Sequence, residues 1–304
     1  MSDQPVEIRG LVKCYGAIRV VDGVDLTVEA GDIYGYLGPN GAGKTTTLRM
    51  MLGLIRRDGG SVRLFGRDPA AGVGALEHVA GFVESPSFYP YLSGRENLEF
   101  LGALDGGVER RRLDEVLDQV DLLDRSADRV GTYSLGMRQR LGIAASLLRS
   151  PRLLVLDEPA NGLDPAGMRD LRELVSRLPA QGVTVMYSSH LLSEVEEVCN
   201  RVAIVDGGKI SFEGPLDELR ASFDAPYRLE TGDDARAVDA ARANGARDVR
   251  IENGALWLDA PPDVLDRLTI ALGRAGIPIR SLARERRTLE DLFFQLTEEK
   301  GRAA

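Results

Sequence analysis

The run Gly38-Pro39-Asn40-Gly41-Ala42-Gly43-Lys44-Thr45 satisfies G-x-x-x-x-G-K-[ST] in full. Such a loop offers successive backbone N–H groups to a phosphate, and glycine allows the close approach that this needs. Lys44 would reach the β- and γ-phosphates of a nucleotide, and the Thr45 hydroxyl would hold Mg²⁺. The chain has four lysines, Lys13, Lys44, Lys209 and Lys300. A compact ammonium suits a tight loop better than a planar guanidinium. Asp157 and Glu158 close the apolar run "LLVLDEP". Asp157 could hold Mg²⁺ through water, and Glu158 beside it could polarise an attacking water.

Two further positions could meet phosphate. "TYSLGMRQRLGIAASLL", residues 132–148, begins a helix at a Ser-x-Gly step. The free N–H groups and positive end of such a helix suit an anion; a Ser at this place is equally a simple N-cap. His190 follows "VMYSS" and is one of two histidines, with His78. A His at a strand end is often only a satisfied polar residue, but beside a nucleotide it could hydrogen-bond the γ-phosphate and the catalytic water. His78, in "ALEHVAGF", has no such context and reads as structural.

Elements must bring these residues together. "IYGYL" precedes the glycine loop and "TTLRMMLGLI" follows it, a strand, loop and helix in series. "LLVLD" and "VTVMYSS" read as further buried strands, with the helical "GMRDLRELVSRL" between them. This alternation implies a parallel sheet flanked by helices, with ligands at the carboxyl ends of the strands. The chemistry should therefore gather after Leu37, Leu156 and Ser189. "VEIRGLVKCYG" and the segment after it read as short antiparallel strands, "RVAIVDGGKI" as a hairpin, and residues 98–123 as a helical insertion broken at "DGG".

Near Ala221 the pattern changes to β-α-β-β-α-β, the order of a ferredoxin-like unit. A closing "TLEDLFFQLTEE" sets Leu289, Leu292, Phe293 and Leu296 on one helical face suited to docking. The expected domains are residues 1–221, with a helical part at about 85–150, and an accessory unit at 222–304. A net charge of −9 over 304 residues argues against a broad hold on nucleic acid. Two cysteines, Cys14 and Cys199, make no disulfide framework and suit a reducing compartment. No stretch approaches the roughly 20 apolar residues of a membrane span.

With these motifs in this order, the chain resembles the ATP-binding subunits of ABC transporters, most closely the daunorubicin- and bacitracin-type exporter ATPases. The resemblance implies an α/β P-loop NTPase fold with an antiparallel β subdomain, a helical subdomain and the small C-terminal α+β domain. It matches Gly38, Pro39, Asn40, Gly41, Ala42, Gly43, Lys44, Thr45 and Thr46 to Walker A, Ser134–Arg138 to the signature and Leu153–Glu158 to Walker B. Asn161–Asp164 matches the D-loop, so Asp164 is implied at the nucleotide, and His190 matches the switch histidine. Tyr15 matches the aromatic that stacks on adenine. Catalysis is thereby expected of Glu158, His190 and Lys44, and metal binding of Thr45, Asp157 and Glu84.

Two departures stand out. The signature reads "SLGMR", with Leu135 at a usual Gly position, although Ser134 and Gly136, which contact phosphate in the family, remain. Glu84, in "GFVESPSFYP", stands where the family usually has a glutamine; it could enter the Mg²⁺ shell or serve coupling alone. The resemblance implies a head-to-tail homodimer in which the loop of one copy and Ser134–Gly136 of another grip the same ATP. It also implies a separate membrane permease docking near Glu84–Tyr91, where Phe88, Tyr89 and Tyr91 suit a contact or simply pack locally. The expected role is the ATPase of an exporter of drug, antibiotic or lipid-like cargo, on the cytoplasmic face of the membrane. The competing reading is a soluble ABC ATPase acting as a nucleotide-dependent switch without a permease.

Overall fold

The structure is a computed structural model and describes residues 4–221 and 226–284. The chain divides into two compact units, with the boundary between Leu216 and Asp217.

The first unit opens with two long antiparallel strands, β1 (Val6–Tyr15) and β2 (Ile18–Val28). Next come β3 (Ile33–Leu37), α1 (Lys44–Met51) and β4 (Gly59–Leu64). β4 returns to β1, giving a three-stranded antiparallel sheet in the order β2-β1-β4. The remaining elements are β5 (Val79–Phe82), α2 (Gly94–Leu104), α3 (Arg110–Gln119), α4 (Leu135–Leu147), β6 (Leu153–Asp157), α5 (Pro165–Arg177), β7 (Thr184–Ser189), α6 (Leu192–Val198), β8 (Arg201–Asp206) and β9 (Lys209–Pro215).

A six-stranded sheet in the order β5-β6-β7-β3-β8-β9 carries the site. β5, β6, β7, β3 and β8 run parallel, and β9 folds back antiparallel on β8. Every residue of β3, β6 and β7 is buried. Strands covered on both faces must be apolar almost throughout, which explains "IYGYL" and "LLVL". The core between the two sheets joins Val6, Ile8, Leu26, Tyr34, Tyr36, Met50, Leu153 and Met186. The Tyr36 hydroxyl, its pKa pushed up to about 12 by burial, donates to Thr47 Oγ1 at 3.2 Å and ties β3 to α1.

Local sequence sets the helix starts. Ser93 and Glu96 form a reciprocal capping box at α2. The "DGG" break at 105–107 separates α2 from α3, and Ser134 and Asp164 cap α4 and α5. β5 has only four residues, one of them Gly81, and its short "VAGF" carries too little pattern to read as a strand in isolation. No helix among the described residues is long and apolar enough to cross a membrane.

The helix α7 (Leu216–Ala221) spans the boundary, and the second unit continues with β10 (Tyr227–Thr231), α8 (Asp234–Ala243), β11 (Arg247–Glu252), β12 (Ala255–Asp259), α9 (Pro262–Arg274) and β13 (Ile279–Arg284). Its four strands among the described residues form one antiparallel sheet in the order β11-β12-β10-β13. Leu229, Leu256 and Leu258 pack on Ala237, Ala241, Leu268 and Leu272 of the two longer helices. The face of Leu289, Leu292, Phe293 and Leu296 lies outside the described residues.

Candidate active site

The three strand ends named by the sequence meet. Between β3 and α1, residues 38–43 form the glycine loop, and space dictates its composition. A Cβ on Gly38 would lie 2.3 Å from the Val205 carbonyl, and one on Gly43 2.6 Å from the Val20 carbonyl. Gly43 also has φ +95°. It is the N-cap of α1 and has no side chain to offer, so the first N–H groups of the helix stay available to an anion.

Lys44 is buried, and its ammonium donates to the carbonyls of Gly38 at 2.7 Å and Pro39 at 3.3 Å. Its Nζ also lies 3.2 Å from Glu158 Oε1. Glu158 stands directly after β6 with φ +50°, a turn that aims its carboxylate back across the loop. The other Glu158 oxygen, Oε2, lies 2.5 Å from His190 Nδ1. One carboxylate therefore joins the end of β6, the glycine loop and the end of β7.

Asp157 is buried just beneath. Its Oδ2 accepts from the Thr45 hydroxyl at 2.9 Å and its Oδ1 from the Ser188 hydroxyl at 2.5 Å. A carboxylate and a hydroxyl at this separation are hard oxygen donors of the kind Mg²⁺ prefers. Among the described residues no group of three or more His, Cys, Asp or Glu side chains gathers to hold a metal. Mg²⁺ is commonly held by one or two protein oxygens together with substrate phosphates and water.

A cavity of about 330 Å³ above Asp157 and Ser188 is bordered by Val20, Asn40, Gly41, Gly43, Lys44, Thr45, Thr46, Glu158, Asn161 and His190. Val20 and Ser188 were not singled out in the sequence. Val20 is an ordinary β2 residue brought in by the antiparallel sheet, and nothing local marks it. Ser188 left a fainter signal: it lies two residues before His190, on the same side of an extended chain.

Ser134, Gly136 and Asp164 lie elsewhere. They border a second cavity of about 420 Å³ with Leu135, Arg140, Gly162 and Gly167. Ser134 Oγ accepts from Met137 N–H at 3.2 Å, and Asp164 Oδ1 from Gly167 N–H at 2.9 Å, so both cap helices. Tyr15, at the end of β1, is 51% exposed, does not border the Lys44 cavity, and has Lys13 Nζ 5.4 Å from its ring centroid. Glu84 is exposed with φ +69°, and its carboxylate pairs with Arg49 on α1. His78 T-stacks on Phe65, away from the site.

Comparison with known proteins identifies the family. The family model for ABC transporters matches residues 21–161, from β2 through the loop after Glu158. The bacitracin transport ATP-binding protein BcrA of Bacillus licheniformis is 42% identical over 77% of this chain and 77% of its own length. The daunorubicin/doxorubicin resistance ATP-binding protein DrrA of Streptomyces peucetius is 36% identical over 98% of this chain and 94% of its own. The chain belongs to the ABC transporter ATP-binding proteins. Among solved structures, an ATP-binding subunit of an ABC transporter superposes with TM-score 0.64 at 30% identity, covering 72% of this chain and 92% of that one. The protein is thus an ABC ATPase that couples ATP hydrolysis to transport.

Proposed function

We propose that this chain is the ATP-hydrolysing subunit of an exporter, working as a head-to-tail homodimer that drives a separate membrane permease. One observation carries the dimer. The glycine loop and the Ser134–Gly136 helix start are both suited to phosphate, yet they border different cavities of the same subunit. Two copies related by a two-fold axis let the loop of one and the helix start of the other close on the same ATP, twice per dimer.

Within each site Lys44 and the loop amides hold the phosphates. Glu158 Oε2 faces His190, and this pair polarises the water that attacks the γ-phosphorus; the γ-phosphoryl group passes to water, and ADP and phosphate leave. Thr45 and Asp157 would hold Mg²⁺, which neutralises phosphate charge when bound. Glu84 joins that shell only on leaving Arg49, and an exposed ion pair of this kind is worth no more than about 1 kcal/mol. Tyr15 is taken to stack on adenine and Asp164 to meet the nucleotide across the dimer.

The permease would dock in an apolar groove between β5, α2 and α4. Its cavity of about 510 Å³ is lined by Phe82, Val83, Pro86, Phe88, Leu101 and Leu104, among others. Tyr89 packs edge-on against Phe100 and tilts toward Tyr91, and all three rings are exposed. Exposed aromatic clusters of this kind mark protein contacts. Docking would hold the subunit on the inner face of the membrane. The similarity to bacitracin and daunorubicin transport and resistance ATPases supports a drug or antibiotic as cargo. The 222–304 segment is read as a ferredoxin-like accessory domain, on the order β11-β12-β10-β13 with one helix in each crossover. Co-purification of a multi-span membrane protein with the tagged subunit, lost on Tyr91→Asp and Phe88→Asp, is the expected result; a subunit that extracts alone from membranes of its own cells would overturn the permease reading.

A further inference from the structure

One buried ionisable side chain has no part in the hydrolytic scheme. Glu194, in the first turn of α6, is 4% exposed. Its Oε2 accepts from the Ser189 hydroxyl at 3.0 Å and from the Tyr187 hydroxyl at 3.3 Å. Its Oε1 is buried and has no hydrogen-bond partner among the described residues. A carboxyl group left this way is costly unless it stays neutral. Burial does raise its pKa above the ordinary glutamate value.

The two hydroxyls that Glu194 holds belong to alternate residues of β7 and lie on one side of it. On the other side Ser188 Oγ donates to Asp157 and accepts from the Glu158 N–H at 3.0 Å. The strand end that delivers His190 is therefore gripped on both faces. Ser189 Oγ also accepts from the Leu191 N–H at 2.9 Å. That single hydroxyl brackets His190: it holds the backbone immediately after the imidazole residue and hands its own proton to Glu194. Leu191 is the N-cap of α6 but has no polar side chain, so Glu194 reaches the start of the helix through Ser189 in place of a direct cap.

We propose that Glu194 is a positioning residue for His190, acting through Ser189 and Tyr187 to hold the turn from which the imidazole meets Glu158. The proposal rests on the reading of Glu158 and His190 as the hydrolytic pair. Small displacements near reacting groups carry large rate penalties, up to about 10²-fold for roughly 1 Å. Loss of the Glu194 carboxyl should therefore act on turnover and leave the phosphate loop untouched.

The test is steady-state ATPase kinetics on the full chain in two backgrounds. Glu194→Ala should lower kcat about tenfold or more, with KM for ATP within about twofold of wild type. Glu194→Gln should restore kcat to within about twofold, because a neutral amide oxygen accepts the same two hydroxyls. In a His190→Ala background the same Glu194→Ala change should lower kcat by less than about twofold, since a residue acting through His190 has nothing left to position. Ser189→Ala should repeat the pattern, and it decides the matter if Glu194→Ala does not fold. Wild-type turnover by His190→Ala would overturn the reading beneath the proposal. A slow His190→Ala together with a fast Glu194→Ala, or equal losses in both backgrounds, would overturn the positioning role itself.

Discussion

At the scale of single residues, the site depends on Glu158, whose two oxygens face Lys44 and His190. Glu158→Gln keeps the size of the side chain and removes its charge. Turnover is expected to fall on the order of 10²–10⁴-fold while ATP binding persists, since the loop amides do not touch the carboxylate and Lys44 keeps its bonds to the Gly38 and Pro39 carbonyls. Equilibrium binding of labelled ATP beside a phosphate-release assay measures both; wild-type turnover would remove Glu158 from the role of base. Glu84 makes a separate prediction because its carboxylate now sits on Arg49. Arg49→Ala frees it and should tighten Mg²⁺ binding, whereas Glu84→Gln should weaken it, each by no more than about fivefold. Overlapping Mg²⁺ titrations of the ATPase rate for all three proteins would leave Glu84 to coupling.

At the scale of elements, α4 begins at a serine that has two jobs in the proposed dimer. Ser134 caps its own helix through Met137 N–H, and it faces the second cavity. The jobs separate by substitution. Ser134→Ala removes the cap and should destabilise the fold by about 1 kcal/mol. Ser134→Asp keeps a good cap, and so should hold the thermal midpoint close to wild type, but it opposes the phosphates of a second copy with a negative charge. Light scattering of the Glu158→Gln protein with ATP should therefore show dimers, and the same protein carrying Ser134→Asp should stay monomeric. Dimers in both would confine Ser134 to capping.

At the scale of the whole molecule, the chain divides at Leu216/Asp217, a few residues ahead of the composition change near Ala221. The second unit has its own core around Leu229, Leu256 and Leu268, and the described residues that line the Lys44 cavity all belong to the first unit's span, Val20 to His190. A fragment ending at Leu216 is expected to bind ATP with wild-type affinity, and limited proteolysis of the full chain should cut within 219–226. A folded fragment that no longer binds ATP would tie the second unit to the site.

The amino-acid sequence by itself determined the phosphate chemistry. Gly38–Thr45 is contiguous, and the backbone of a short loop can present its N–H groups to one anion without help from distant chain. Asp157, Glu158 and His190 were legible for a related reason: each ends an apolar run, and parallel strands place such ends along one edge of the sheet. The helix start at Ser134 was equally local, since a cap involves residues three apart; the caps at Ser93 and Asp164 came from the structure. Other features existed only after folding. That Lys44 and His190 share the two oxygens of Glu158 depends on the strand order β6-β7-β3, and no local pattern states which strand lies beside which. Val20 enters the site because the antiparallel sheet brings β2 over the loop, and Ser188 because β7 lies against β6. Glu194 was invisible as well: in sequence it is one acid in "SEVEEV", and only the packing of α6 on β7 buries it against two hydroxyls while Glu197, three residues on, faces outward to Arg172. Local chemistry is written in short stretches of chain, whereas neighbours across a sheet are set by the burial of whole faces at once.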